Sequence, residues 1–340
     1  MSRLALALSA AGAEVGLWSA DGSVADTPLV ASDAPLRRLA GTAKQALVQF
    51  GADLIHDNGL WRPHNHQLAI LSHSKCIPRL ISTRGMLEPW ARRHKKWKKD
   101  IAWLAYQRRD VVTADMLHTT ATQEADNLAR LNLGPSIQMI PNGVDVPALP
   151  DVRAVNNLRT AMFLGRLYPV KGLPLLIEAW HRVRPEGWRL VLAGPDEAGH
   201  RAELQAKIAA HKLEEQIVFA GPLDGQAKEA AFFGANLFIL PSHSESFGMA
   251  VAEALAHGIP VLTTKAVPWP VLEDRKLGWR VPVSIEGLAE GLSQATATTT
   301  EKLRAMGEKG RTLVAENYGW DNVASQFLST YSKLIAERAG

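Results

Sequence analysis

Leu237-Phe238-Ile239-Leu240-Pro241-Ser242-His243-Ser244-Glu245-Ser246-Phe247-Gly248-Met249-Ala250-Val251-Ala252-Glu253-Ala254 reads as a buried strand that stops at Pro241, a polar loop, and a helix beginning near Phe247. In open α/β sheets, ligands bind where strands give out at their carboxyl ends, and the free amides of a following helix attract phosphate. Glu245 lies in the loop and Glu253 about two turns into the helix, a spacing that lets both carboxylates face one ligand. Carboxylates accept directional hydrogen bonds from sugar and ribose hydroxyls. The alternative makes Glu245 a partner of the helix N-terminus and Glu253 a solvated helix residue.

Outward from this stretch the same grammar repeats. Ala161–Leu164, Leu190–Ala193, Ile217–Ala220, Leu237–Leu240 and Pro260–Thr263 are short apolar runs, and amphipathic segments fill the gaps between them. That alternation predicts parallel strands joined by right-handed crossover helices. The first half follows it less cleanly, with strands expected at Glu14–Trp18, Asp53–His56, Arg79–Ser82, Met116–Thr119 and Gln138–Ile140 in a second, separate sheet. Pro141-Asn142-Gly143-Val144-Asp145, then Pro147 and Pro150, is turn-rich and unpatterned, which puts a linker there. The expected division is 1–150, 151–318, and a terminal helix over 319–340 that crosses back to the first domain.

A length of 340 residues suits two such domains, and the 46% apolar and 21% charged fractions are those of a globular protein. Leu4–Ala10 is too short to span a bilayer and runs into a strand-like segment, so it reads as a helix. Cys76 is the single cysteine, which excludes an internal disulfide or a thiolate zinc cluster and fits a cytoplasmic location. The net charge of +4 is uneven: residues 84–110 hold nine Lys/Arg against three acids. One face is therefore expected to meet something anionic, such as phospholipid, a lipid-linked phosphate or an acidic glycan. Nothing points to nucleic acid.

The second chemical signal is Gly165-Arg166-Leu167-Tyr168-Pro169-Val170-Lys171-Gly172. Two cations on one loop, with glycines permitting close backbone approach, suit a diphosphate leaving group. Without an Asp-x-Asp pair to hold a divalent ion, Arg166 and Lys171 are the expected electrostatic replacement. Alone, the same residues make an ordinary basic turn.

Together, in this order, the two motifs resemble the glycosyltransferase family 4 pattern of the GT-B fold, two Rossmann-like domains facing across a cleft. The resemblance extends to His56-Asp57-Asn58-Gly59-Leu60-Trp61, Ser82-Thr83-Arg84-Gly85-Met86-Leu87-Glu88-Pro89-Trp90 and Ile140-Pro141-Asn142-Gly143-Val144-Asp145, which look like a bacterial subgroup handling polysaccharide precursors. It implies a metal-independent, retaining transfer from a UDP- or GDP-sugar to a glycan or lipid-linked acceptor, with no cofactor. Arg166 and Lys171 would hold the diphosphate beside Gly165, Glu245 would contact the transferred sugar, and Glu253 the ribose. The amides of Phe247, Gly248 and Met249 would complete the cradle, and Leu223 is a candidate for the base wall. A catalytically silent sugar-nucleotide-binding partner and a nucleotide-sugar epimerase on the same fold are the rivals.

This chain departs from the family in three places. It opens directly in what reads as the first helix, so the resemblance implies that the N-terminal domain lacks its first strand and glycine-rich loop, and that either the true start lies upstream or this form is functionally compromised. Asn58 stands where many relatives carry a second histidine, leaving His56 as an acceptor-side candidate or a structural residue. Arg84 occupies the strand-end position of another family histidine; it cannot act as a base, but it suits a phosphate or acidic acceptor, or else a structural ion pair. Finally, Arg92–Lys99 is a basic run, and Trp90, Trp97, Ile101 and Leu104 fall on one helix stripe. Residues 90–109 thus read either as a helix that meets an anionic membrane at the inner face of the cytoplasmic membrane or as ordinary core.

Overall fold

The computed structural model describes residues 2–24, 35–88, 91, 96–149 and 158–339. The chain divides into two compact units, Met1–Gly143 with Trp320–Gly340, and Val144–Gly319.

In the first unit the helix Ser2–Ala10 precedes β1 (Gly16–Trp18) and β2 (Arg37–Leu39), followed by β3 (Ile55–Asn58), β4 (Arg79–Ser82), β5 (Met116–Thr119) and β6 (Ser136–Met139) with helices between them. The last four strands form one parallel sheet in the order β3-β4-β5-β6. β1 does not join it, contrary to the expectation of a single sheet. It pairs in parallel with β2 as a separate two-stranded ribbon. Gly16 permits this, since a Cβ there would lie 2.8 Å from Leu39 and 2.9 Å from Phe50. The helix Trp320–Ala339 completes two cores of this unit. Val323, Ala324 and Phe327 bury Ile140 together with Leu4 and Leu8 of the opening helix, and Leu334 closes over Leu80 and Met116. Close packing at Gly143 admits Trp320, whose ring lies 2.2 Å from where a Cβ would stand.

In the second unit β7 (Arg159–Leu164), β8 (Trp188–Ala193), β9 (Ile217–Gly221), β10 (Leu237–Leu240), β11 (Val261–Thr264) and β12 (Gly278–Val281) form one sheet in the order β12-β11-β10-β7-β8-β9, every described pairing parallel. Helices such as Leu173–Val183 and Met249–Ala256 connect the strands and bury Trp180, Phe163, Phe238 and Leu255. Burial on both faces is why the central strands β7, β10 and β11 read as unbroken apolar runs, whereas the edge strand β9 alternates between buried and more exposed positions. β12 escapes that reading because its pairing depends on a glycine: a Cβ on Gly278 would sit 2.0 Å from the Val261 carbonyl oxygen. The chain winds outward through β7, β8 and β9, then returns to the far side of β7 and winds the other way through β10, β11 and β12. The direction reverses between β7 and β10.

Candidate functional site

Such a reversal, at the carboxyl ends of the strands, is where open α/β sheets bind ligands. The loops leaving β7 and β10 carry the two motifs. The His243 amide donates to the Val170 carbonyl at 2.8 Å. Gly172 has φ +68°, and a Cβ there would lie 2.1 Å from the Pro241 carbonyl oxygen, so only glycine lets the loops come this close. The 3-10 turn Pro169–Lys171 presents Lys171 to the neighbouring loop. Its ammonium lies 2.5 Å from Glu245 Oε1, and the Ser242 hydroxyl donates to the same oxygen at 2.8 Å. Both charged side chains are less than one-fifth exposed. Thr264, at the end of β11, braces the loop from beneath by donating to the Ser242 carbonyl at 2.5 Å.

Arg166 is placed differently. Its loop start is tight, since a Cβ on Gly194 would meet the Gly165 carbonyl oxygen at 1.8 Å. The guanidinium is exposed, pairs with Glu197 at 2.6 Å and lies beside the Tyr168 ring. Glu253 pairs with Lys228 at 2.7 Å. Its helix starts at Met249 with Gly248 as the N-cap, so Glu253 is one turn into the helix and not two. Leu223 is half-buried against the core at the end of β9. Lys228, Ser242 and Glu197 escape a sequence reading because lysines, serines and glutamates on polar segments carry no pattern that separates a partner from a solvated residue.

The first unit holds a different arrangement. Arg84 adopts φ +50°, unusual for a side-chain-bearing residue, and donates to Asn142 Oδ1 at 3.1 Å and Asn58 Oδ1 at 3.2 Å. Buried Glu124 grips both neighbours, accepting from the Thr83 hydroxyl at 2.6 Å and the Gly85 amide at 2.5 Å, while its other oxygen takes the Thr120 amide at 3.0 Å. The strained turn is thus held from both sides. Burial pushes the Arg84 pKa down, yet a guanidinium stays charged at neutral pH.

His56 is better described as a bridge than as an acceptor contact, because both its ring nitrogens are taken by the protein. Nδ1 lies 2.5 Å from the Tyr331 hydroxyl and Nε2 2.7 Å from Ser82 Oγ; Ser82 in turn lies 2.7 Å from His118 Nδ1, and His118 Nε2 lies 2.8 Å from the Ile140 carbonyl oxygen. A carbonyl can only accept, so His118 carries its proton on Nε2 and accepts at Nδ1 when neutral. Ser82 therefore donates to His118 and accepts from His56 Nε2, and Tyr331 donates to His56 Nδ1. Burial fits this polarity: it pushes the His56 pKa well down, lowers that of His118 to about 4, and raises that of Tyr331.

The expected basic helix is described in part. Pro89, Trp90 and Arg92–Lys95 lie outside the described residues. In the helix Lys96–Ala102 and the π-helical turn Trp103–Gln107 that follows, Trp97, Ile101 and Leu104 are 66%, 60% and 85% exposed. The reading of these three residues as core is therefore corrected: they face solvent. Among the described residues no helix is long and apolar enough to cross a membrane.

Known proteins give these features a context. The model of the glycosyl transferase 4-like domain matches residues 1–143, and that of the glycosyl transferases group 1 matches residues 150–313. The phosphatidyl-myo-inositol mannosyltransferase of Mycobacterium tuberculosis is 29% identical over 221 residues, 61% of this chain and 57% of the relative. The D-inositol 3-phosphate glycosyltransferase of Mycobacteroides abscessus is 28% identical over 238 residues, 66% of this chain and 53% of the relative. The alignments thus span little more than half the length of these curated relatives. Among solved structures, a sucrose-phosphate synthase from Thermosynechococcus elongatus has a TM-score of 0.79 at 20% identity, covering 98% of this chain and 92% of that one. Anabaena HepE, solved with UDP and glucose, has a TM-score of 0.72 at 18% identity, covering 98% and 95%. The fold is that of the GT-B glycosyltransferases, and the chain belongs to the group 1, family 4-type glycosyltransferases.

Proposed function

We propose that the chain moves a sugar, with retention of anomeric configuration and without bound metal, from a UDP- or GDP-sugar to a glycan or lipid-linked acceptor. The observation that carries this reading is the meeting of Lys171 and Glu245 at the reversal between β7 and β10. In the resting site each neutralises the other. A donor diphosphate recruits the ammonium of Lys171 together with Arg166, which frees Glu245 to accept from hydroxyls of the transferred sugar, while Glu253 meets the ribose and Leu223 the base. Fixed cations stabilise the charge that builds on the departing diphosphate. Further support comes from relatives named for mannosyl and inositol phosphate glycosyl transfer and from the UDP complex of HepE. The acceptor is assigned to the first unit, with Arg84 and Asn58 as the contacts.

Purified protein is expected to turn over at least one of UDP-glucose, UDP-N-acetylglucosamine and GDP-mannose in excess chelator, with an α-configured product by NMR. Binding without turnover would make the chain a sugar-nucleotide-binding partner, and isomerised donor would make it an epimerase. Activity lost in chelator and restored by magnesium or manganese would overturn the assignment of Arg166 and Lys171 as the diphosphate clamp.

A peripheral membrane contact belongs to the same proposal. Exposed Trp97, Ile101 and Leu104, with exposed Lys98 beside them, suit the interface of an anionic bilayer, while half-buried Lys99 donates to the Ala91 carbonyl at 2.6 Å. Neutralising Lys95, Lys96, Lys98 and Lys99 together is expected to weaken binding to phosphatidylglycerol vesicles, each charge contributing about 1 kcal/mol. Added salt should act in the same direction. Equal co-sedimentation of variant and wild type would remove the membrane from this reading.

A further inference from the structure

Trp269 lies just beyond β11, and its indole is 2% exposed. Its N–H donates to the Phe247 carbonyl at 2.6 Å. The ring stands edge-on to Phe247 with centroids 5.4 Å apart, and against Tyr318 at 5.0 Å, so it cannot tilt without disturbing both neighbours. The Phe247 carbonyl begins the peptide unit that ends in the Gly248 amide. A trans peptide is planar, with C=O and N–H pointing opposite ways, so anchoring the oxygen fixes where the N–H points. Gly248 cannot relieve a misfit by ordinary means: it holds φ +83°, and a Cβ on it would lie 3.1 Å from Val267 and 3.5 Å from the indole nitrogen.

From this geometry we infer that Trp269 is a positioning residue for the donor reaction. Its N–H aims the Gly248 amide, at the head of the helix Met249–Ala256, towards the diphosphate that departs from the sugar. The inference rests on the transferase reading above and adds to it the residue that orients one of the cradle amides. Thr264 holds the Ser242 carbonyl at one end of the loop and Trp269 holds the Phe247 carbonyl at the other. Glu245 lies between the two anchors. A loop tied at both ends keeps its groups in place before charge develops, and such preorganisation acts on the transition state more than on the bound ground state.

The test is Trp269→Phe, which keeps a ring against Phe247 and Tyr318 but has no donor. Benzothienylalanine at the same position serves as a second variant: its sulfur stands where the indole N–H is and its shape is that of tryptophan. Turnover of UDP-glucose, UDP-N-acetylglucosamine and GDP-mannose, the donor KM and the melting temperature are measured for all three proteins. The expected result is a kcat on the order of tenfold lower in both variants, with KM changed by less than about threefold and the benzothienyl protein melting within a few degrees of wild type. Wild-type kcat in the benzothienyl protein would overturn the inference while leaving the transferase reading intact. A fall in activity that appears only in Trp269→Phe and tracks its lower melting temperature would do the same, because it reports packing and not the hydrogen bond. No turnover of any donor by the wild type would overturn the transferase reading, and the inference with it.

Discussion

Lys171→Ala is expected to lower donor turnover by about 10²- to 10³-fold at saturating donor, the scale seen when one preorganised charge partner of a transition state is removed. The ammonium is shielded, and it is positioned by the 3-10 turn Pro169–Lys171 and by Gly172, whose approach to Pro241 no other residue allows. Among the described residues no other cation is paired with Glu245, and in the resting site Arg166 pairs with Glu197. Arg166→Ala should cost less, about tenfold, since Arg166 is exposed and its pairing is screened by water. Lys171→Ala also strips Glu245 of its counter-charge and leaves it, among the described residues, the Ser242 hydroxyl. The double variant Lys171→Ala/Glu245→Gln separates the two effects: if catalysis is lost because an unpaired carboxylate repels the diphosphate, the second change recovers part of the rate. Wild-type kcat in Lys171→Ala would end the clamp assignment.

The second large effect is on stability in acid. His118 is protonated at about pH 6.5 in an unfolded chain and at about 4 in the native unit, because burial disfavours the imidazolium. Above pH 6.5 the residue is neutral in both states and costs nothing. As pH falls from 6.5 towards 4, the unfolded state takes up a proton that the native state refuses, so stability is lost across that window and levels off below it. The difference corresponds to about 3 kcal/mol. His56 acts in the same direction. Asp57, raised to about 6 by burial, acts in the opposite one, since its native carboxyl keeps a proton that the unfolded chain gives up. The histidine term is therefore read as the difference in urea midpoint between wild type and His118→Gln, followed from pH 7 to 4. That difference should shift in favour of the variant as acid is added. A constant difference would show that His118 takes its proton without breaking the chain from Tyr331 to Ile140.

Which features the sequence disclosed follows from what each depends on. The central strands of the second unit were legible because burial on both faces requires unbroken apolar runs such as Leu237–Leu240. β2 and β12 were not: Arg37-Arg38-Leu39 has no apolar run, and Gly278-Trp279-Arg280-Val281 becomes a strand through the close approach that Gly278 allows. At the site, the residue types of the loops after β7 and β10 carry the proposed phosphate and sugar chemistry. The contact between Lys171 and Glu245 depends on a sheet order that brings positions 74 residues apart side by side. Trp269 gave no signal, because its function lies in one hydrogen bond to a backbone carbonyl. The bridge that His56 makes was hidden because its hydroxyl partner on the last helix is 275 positions away.

That last helix bears on how the protein is made. The second unit is contiguous, and all of Val144–Gly319 has been synthesised before Trp320 is added. In the first unit Leu4 and Leu8 are made early, yet the cover of Ile140, Leu80 and Met116 is completed by Val323, Phe327 and Leu334. A ribosome that has reached Gly319 therefore carries every residue of the later unit, while the earlier one still exposes two apolar surfaces. In most multidomain chains the order of synthesis is the order of completion. Here the unit that holds the earlier residues closes after the later one, and until the helix Trp320–Ala339 is made part of its apolar core is left uncovered.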